Sequence, residues 1–297
     1  RQFPAYVEAI EAAGGEVTTL GPDAEALVWT DYARPDLLED ALKNNPQLRW
    51  VQLPFAGVDA FQDLLGHDVI FTSAKRSYSE PVAEHALMLS MALGRILKER
   101  SLAKSWGKKH AESLYDANVL IVGGGGIAQE LVRLLEPFRS EVTVIRKRPT
   151  EPFDRVGNTS VMGFEALDEL LPKAQFVILA CALTAETRFL FNDERFDLMS
   201  TQAHLVNVAR GEVIDQDALA RALSEEKIAG AAIDVTYPEP LPDGHPLWEQ
   251  RRLIITPHTA DTMQIVTGLF AKRLRENVSA WLAGSELVGV VSKELGY

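Results

Sequence analysis

Cysteine is all but missing from this chain, with one residue, Cys181, in 297. An internal disulfide is therefore excluded, and the apolar run around Cys181, residues 176–182, predicts a small buried thiol that takes no part in chemistry. Long hydrophobic runs are missing as well. No stretch approaches the roughly 18 apolar residues of a membrane-spanning helix, and the opening residues hold neither the charged nor the apolar block of a signal peptide. Basic residues are outnumbered, 30 Lys and Arg against 42 Asp and Glu, and the formal charge of -12 disfavours nucleic acid and anionic lipid as partners. Solenoid-period repeats and low-complexity tracts are absent too. Together these absences predict a cytoplasmic protein with no nucleic-acid or membrane partner. The chain starts at Arg1 directly in a helical pattern, so a preceding segment that carries a first strand is expected.

What is there is a long, moderately apolar chain, 46% hydrophobic over 297 residues, which predicts two compact domains. The first stretch alternates between the two periodicities: 4–13 helical, 17–20 and 26–30 extended, 37–44 helical, 49–53 and 69–71 extended. Such alternation means a parallel α/β sheet. One long helix is expected over 79–104. Six apolar strands follow, at 118–122, 142–145, 176–180, 204–208, 230–234 and 253–256, most of them separated by helical segments such as 215–224. Six strands suit a doubly wound sheet. A last amphipathic segment, 263–282, returns to the first domain. The predicted fold class is α/β: a doubly wound parallel-sheet (Rossmann) nucleotide domain, 93–267, inserted in a smaller flavodoxin-like α/β substrate domain, 1–92 plus 268–297.

The segment VLIVGGGGIAQEL, 119–131, ends an apolar strand in glycines and opens a helix. It reads G-x-G-x-x-A, with Gly123 for a tight turn, Gly125 for close approach of a pyrophosphate to the backbone, and Ala128 for helix–strand packing. Gly126 and Ile127 open the helix whose N-terminus would hold the phosphates. A glycine-rich turn alone is weak evidence for a nucleotide, so the next strand matters. It ends at Arg146, where an NAD enzyme carries the Asp or Glu that binds the ribose 2′-hydroxyl. Here Arg146, Lys147 and Arg148 stand instead, three cations able to take a 2′-phosphate. The expected cofactor is NADP(H), with NAD(H) possible.

Three polar segments each follow an apolar strand: NVARGEVID (207–215), IDVTYPEPLP (233–242) and TPHTAD (256–261). In a doubly wound fold the carboxyl ends of the strands line one crevice, so Arg210, Glu239 and His258 are expected to converge. Their types suit reduction of a 2-keto acid. Arg210 would take the carboxylate and carbonyl, His258 would be the general acid in reduction and base in oxidation, and Glu239 would orient His258 and support its protonated form. Singly each has a plainer reading: a turn before Gly211, a loop between prolines, a strand-end histidine satisfying backbone. No metal site is expected.

These segments and their order resemble the D-isomer-specific 2-hydroxyacid dehydrogenases, with glyoxylate and hydroxypyruvate reductases as the nearest kind. The resemblance spans nearly the whole chain and rests on AGVDAF (56–61), PVAEHALML (81–89), Trp106, the glycine loop, NVARGEVIDQDAL (207–219), DVTYPEPLP (234–242), PLW (246–248) and ITPHTA (255–260). It implies that Arg210, Glu239 and His258 are the catalytic trio. It further implies that backbone N–H groups at Ala56 and Gly57 bind the substrate carboxylate, that Asp234 contacts the nicotinamide carboxamide, and that the enzyme is a homodimer packed through the nucleotide domain and the long helix. Val208 and Ala209, just before Arg210, complete the expected cofactor contacts. The residues depart from the family's pattern at Ala128 and at the missing acid before Lys147, which puts NAD use in doubt.

Formate dehydrogenases of the same superfamily pair the histidine with glutamine, so Glu239 argues against that activity. Phosphoglycerate dehydrogenases often carry a further regulatory domain for which this chain has no room. A reading from another class is a dinucleotide-sensing corepressor that acts through protein partners. Which 2-keto acid is used stays open among glyoxylate, hydroxypyruvate and aryl-pyruvates, with Phe55, His67 and Tyr237 as pocket-wall candidates better read as core or surface.

Overall fold

The computed structural model describes residues 3–107 and 109–294. The chain forms two compact units, one from its start to Tyr78 and again from Asp261, the other Ser79–Ala260. The divisions fall at 78/79 and 260/261 rather than at the expected 92/93 and 267/268. The long helix belongs to the larger unit from its first turn, because it packs on that unit's own glycine-loop helix and central strands.

In the smaller unit, α1 (Pro4–Ala12), β1 (Ala26–Val28), α2 (Pro35–Asn44), β2 (Trp50–Gln52) and β3 (Ile70–Thr72) are joined by the chain-terminal helix α9 (Met263–Leu282). The strands pair in parallel in the order β1-β2-β3. Leu38, Val51, Leu53 and Phe61 are fully buried between the sheet and its helices, each worth roughly 1.5–3 kcal/mol of burial. Gln52, buried in the central strand, is satisfied by the Thr72 hydroxyl and the Asn277 amide, both donating to its Oε1 at 2.8 Å. The predicted strand at 17–20 does not form. Its residues lie mostly exposed and find no neighbouring strand, so β-propensity there has nothing to pair with.

The larger unit is built on seven parallel strands. These are β4 (Asn118–Val122), β5 (Glu141–Ile145), β6 (Thr159–Met162), β7 (Phe176–Leu179), β8 (His204–Asn207), β9 (Gly230–Ile233) and β10 (Leu253–Ile255). They run in the order β10-β9-β8-β7-β4-β5-β6. Strand order reverses between β4 and β7, the switch point at which open parallel sheets bind ligands. β7, β8 and β9 are buried along their whole length, as expected of parallel strands covered on both faces. The seventh strand, β6, escaped prediction because it is a half-exposed edge strand whose short run, Thr-Ser-Val-Met, is too polar to read as buried.

Helices α3 (Ser79–Gly94), α4 (Leu97–Leu102), α5 (Gly126–Leu135), α6 (Leu167–Leu170), α7 (Asp193–Leu198) and α8 (Gln216–Ser224) flank this sheet. The single helix predicted over 79–104 is two. Ile96 takes the left-handed conformation at φ 52°, and Glu112 donates its backbone N–H to the Gly94 carbonyl at 2.7 Å, capping α3 with a distant segment. Cys181 is buried as expected, and burial pushes its thiol up to about 12, so it stays protonated and unreactive at neutral pH. Among the described residues no helix is long and apolar enough to cross a membrane.

Candidate active site

Strand register alone sets out the site. Ile255, Ile233, Asn207, Leu179, Val122, Ile145 and Met162 are successive Cα partners across the whole sheet, one row at the carboxyl ends of the strands. Gly123, Arg146 and Asp234 each stand one residue past this row, and Arg210 and His258 stand three past it. Residues far apart in sequence are thus delivered to one edge by parallel pairing.

The β4–α5 turn has the form of a phosphate cradle. Gly123 has φ +113°, and a Cβ there would lie 2.5 Å from the Ala180 carbonyl carbon and oxygen, so neither the conformation nor the space admits a side chain. A Cβ on Gly125 would meet nothing within 4 Å. That open space lies at the N-cap of α5, where no side chain caps the helix and the first N–H groups of Gly126, Ile127 and Ala128 are left for an anion. Ala128 is fully buried, the close packing that its small size allows. The residues present therefore fit a dinucleotide pyrophosphate.

Beside this turn, Arg146 lies against Gly124, where a Cβ would come within 2.8 Å of the arginine Cδ. Arg146 Nη2 sits 3.2 Å from Glu151 Oε2, and Nη1 donates to the Pro152 carbonyl at 3.2 Å. Lys147 pairs with Glu186 at 2.9 Å and Arg148 with Glu151 at 2.7 Å. Val208 and Ala209, just past β8, are buried.

His258 and Glu239 meet. His258 Nδ1 is 2.6 Å from Glu239 Oε1, and both side chains are partly exposed. His258 has φ 49°, a strained left-handed turn, held by its N–H donating to the Asp234 carbonyl at 2.8 Å. Burial of the Glu239 carboxyl opposes its ionisation. The hydrogen bond and charge of His258, a Thr236 backbone N–H and the charge of Arg210 outweigh that burial and hold its pKa below the ordinary carboxylate value. Arg210 thus acts electrostatically on Glu239. Its position is fixed by Asn207, whose Nδ2 donates to the Arg210 carbonyl at 2.9 Å. It is also fixed by Gly211, where a Cβ would fall 2.1 Å from the Thr236 backbone. The glycine after Arg210 is more than a turn former: only a residue without Cβ lets this loop lie against the end of β9.

Asp234 is the buried centre of the arrangement. Its Oδ1 accepts from the Thr256 hydroxyl at 2.6 Å and the Thr259 N–H at 3.0 Å, and its Oδ2 from the Ala260 N–H at 3.2 Å. His85 Nε2, from α3, stands 3.3 Å from Oδ1 and 3.1 Å from the Thr256 hydroxyl. Burial raises the Asp234 pKa, but the His85 and Thr256 hydrogen bonds and the Thr259 N–H reverse this and leave it lowered. Asp234 therefore pins the loop that carries His258.

Ala56 and Gly57 belong to the smaller unit, in the loop after β2, with Ala56 exposed. Phe55 packs edge-on against Tyr32 and Tyr78 there, and His67 is half-buried in the same unit. Tyr237 is exposed, its ring 5.7 Å from the Arg188 guanidinium. Sequence reasoning missed His85, Thr256 and Gln216, the last clamping Tyr237 by accepting its N–H at 2.9 Å. His85 and Thr256 lie inside segments that carried the resemblance, but nothing in their spacing links α3 to the end of β10.

A family model described as "D-isomer specific 2-hydroxyacid dehydrogenase, NAD binding domain" matches residues 85–260. The chain is 31% identical to the glyoxylate reductase of Pyrococcus furiosus over 288 residues, which covers 92% of this chain and 84% of that protein. The crystal structure of a D-isomer specific 2-hydroxyacid dehydrogenase from Xanthobacter autotrophicus Py2, in complex with NADPH and MES, superposes with a TM-score of 0.84 at 27% identity. It covers 100% of this chain and 96% of that one.

Proposed function

We propose, from the premise that the chain belongs to the D-isomer specific 2-hydroxyacid dehydrogenase family of NAD(P)-dependent oxidoreductases, that it reduces a small 2-keto acid at the expense of NADPH. The observation that carries this reading is the 2.6 Å contact between His258 Nδ1 and Glu239 Oε1, beside the charge of Arg210 at the carboxyl edge of the sheet. A bound nicotinamide supplies the hydride. Everything else falls to side chains of this protein. Arg210 binds the substrate carboxylate and draws electron density onto the carbonyl oxygen. With Nδ1 engaged by Glu239, His258 delivers its proton from Nε2 to that oxygen as it becomes a hydroxyl. Glu239, kept ionised by its surroundings, stabilises the imidazolium before the proton leaves and fixes the ring plane. Asp234 holds the loop, and its carboxylate would accept from a cofactor amide.

Gly123, Gly125 and the start of α5 take the pyrophosphate, while Arg146, Lys147 and Arg148 take the 2′-phosphate. Glyoxylate, the substrate named for the Pyrococcus relative, and hydroxypyruvate are the first substrates to expect. The acting species is a homodimer, a reading supported by the exposed apolar side chains Met88 and Met91 on α3 and Leu97, Leu102 and Trp106 beyond it.

The cofactor assignment has a direct test. Arg146→Asp reverses the charge nearest the glycine turn, and the expected result is a roughly 10- to 100-fold rise in the NADPH dissociation constant, the scale of a lost hydrogen bond to a charged group. NADH should change by less than about 3-fold, because a 2′-hydroxyl has no charge to repel. Fluorescence titration of both cofactors reads this out, and equal weakening of the two would contradict the assignment.

A further inference from the structure

The basic cluster is already occupied by acids from this chain. Glu151 spreads its two carboxylate oxygens over two guanidinium groups, Oε2 at 3.2 Å from Arg146 Nη2 and Oε1 at 2.7 Å from Arg148 Nη1. Glu186 holds Lys147 at 2.9 Å. A guanidinium fork binds carboxylate and phosphate oxyanions with the same planar geometry, so Glu151 already makes the contacts that two oxygens of a 2′-phosphate would make.

We infer that Glu151 is a specificity-determining residue: it competes with the cofactor's 2′-phosphate for Arg146 and Arg148, and by that competition limits the preference for NADPH over NADH. The inference rests on the NADPH reading above. Its geometry is particular to this turn. The Arg146 side chain is only 15% exposed and also meets the Pro152 carbonyl and the Phe153 ring, whose centroid lies 5.8 Å away. It is the more enclosed partner of the pair. Glu151, by contrast, closes a short turn through its N–H to the Arg148 carbonyl at 3.3 Å, and its side chain is 41% exposed. Its side chain has room to swing into water. NADPH must displace it. NADH, which has no 2′-phosphate, need not.

The test uses 2′,5′-ADP and 5′-ADP as probes, titrated calorimetrically into the wild-type protein, Glu151→Gln and Arg146→Ala. Exposed ion pairs are each worth up to about 1 kcal/mol. Freeing the two arginines should therefore tighten 2′,5′-ADP about 3- to 10-fold in Glu151→Gln and leave 5′-ADP within about 2-fold. If Glu151→Gln binds 2′,5′-ADP no more tightly while Arg146→Ala weakens it, the competition is disproved and the NADPH reading stands. If no protein distinguishes the two probes and Arg146→Ala changes neither, the 2′-phosphate assignment itself fails, and this inference with it.

Discussion

Replacing His258 with alanine is expected to lower kcat for keto-acid reduction by about 10²- to 10⁴-fold, the usual range for removal of a general acid, and to leave NADPH binding nearly unchanged. The separation follows from placement. His258 stands past β10 on the loop pinned by Asp234, whereas the glycine turn stands past β4, four strands along the sheet order. The left-handed backbone at His258 is held by main-chain contacts to Asp234 and not by the imidazole, so the alanine variant should fold. Steady-state rates beside cofactor titration check both halves. The companion Glu239→Gln keeps the shape and a weaker hydrogen bond but removes the charge that supports the imidazolium. Its rate should fall less, and its pH profile for reduction should move to lower pH. Because the wild-type carboxyl is held below its ordinary value, its support is fully present above the normal carboxylate range and is lost only as pH falls through that lowered value.

Arg210→Ala should be nearly as damaging, with a fall of about 10²- to 10³-fold in kcat/KM. Both parameters move because the guanidinium is asked to bind the carboxylate in the ground state and the charge that grows on the carbonyl oxygen in the transition state. Arg210→Lys should recover only part of this, since an ammonium cannot hold two oxygens in one plane. The backbone here is set by Asn207 and by the absence of a Cβ at Gly211, and the guanidinium adds one bond to the neighbouring Ala209 carbonyl at 2.8 Å, so the loop is expected to keep its course when the side chain is removed. A loss confined to KM would mean that Arg210 only collects substrate.

Much of this was legible in the sequence because the parallel sheet imposes a simple rule: an apolar run, then a turn at the carboxyl end. Gly123, Arg146, Arg210, Asp234 and His258 all follow that rule, and the structure sets them past a single row of paired residues. What was illegible depends on tertiary contacts without a local signature. The break at Ile96 follows a lone glycine, Gly94, which by itself does not announce a break; it forms where the segment at Glu112 caps the Gly94 carbonyl. Residues 17–20 have strand-like composition but no partner, and β6 has a partner but an unpromising sequence. The bond from His85 to the Asp234–Thr256 pair joins a helix to a strand end across the unit. The pairing of Glu151 with two arginines is invisible for a different reason: a charge count shows a basic cluster, and only the turn geometry shows that an acid already sits in it.

The central claim is tested most directly by following absorbance at 340 nm (a property of reduced nicotinamide, about 340 nm in any such enzyme) with NADPH or NADH against glyoxylate, hydroxypyruvate, pyruvate, longer 2-keto acids and phenylpyruvate. The account predicts turnover with glyoxylate or hydroxypyruvate, faster at low NADPH than at equal NADH, and abolished in His258→Ala. Tight NADPH binding without turnover on any of these acids would contradict it.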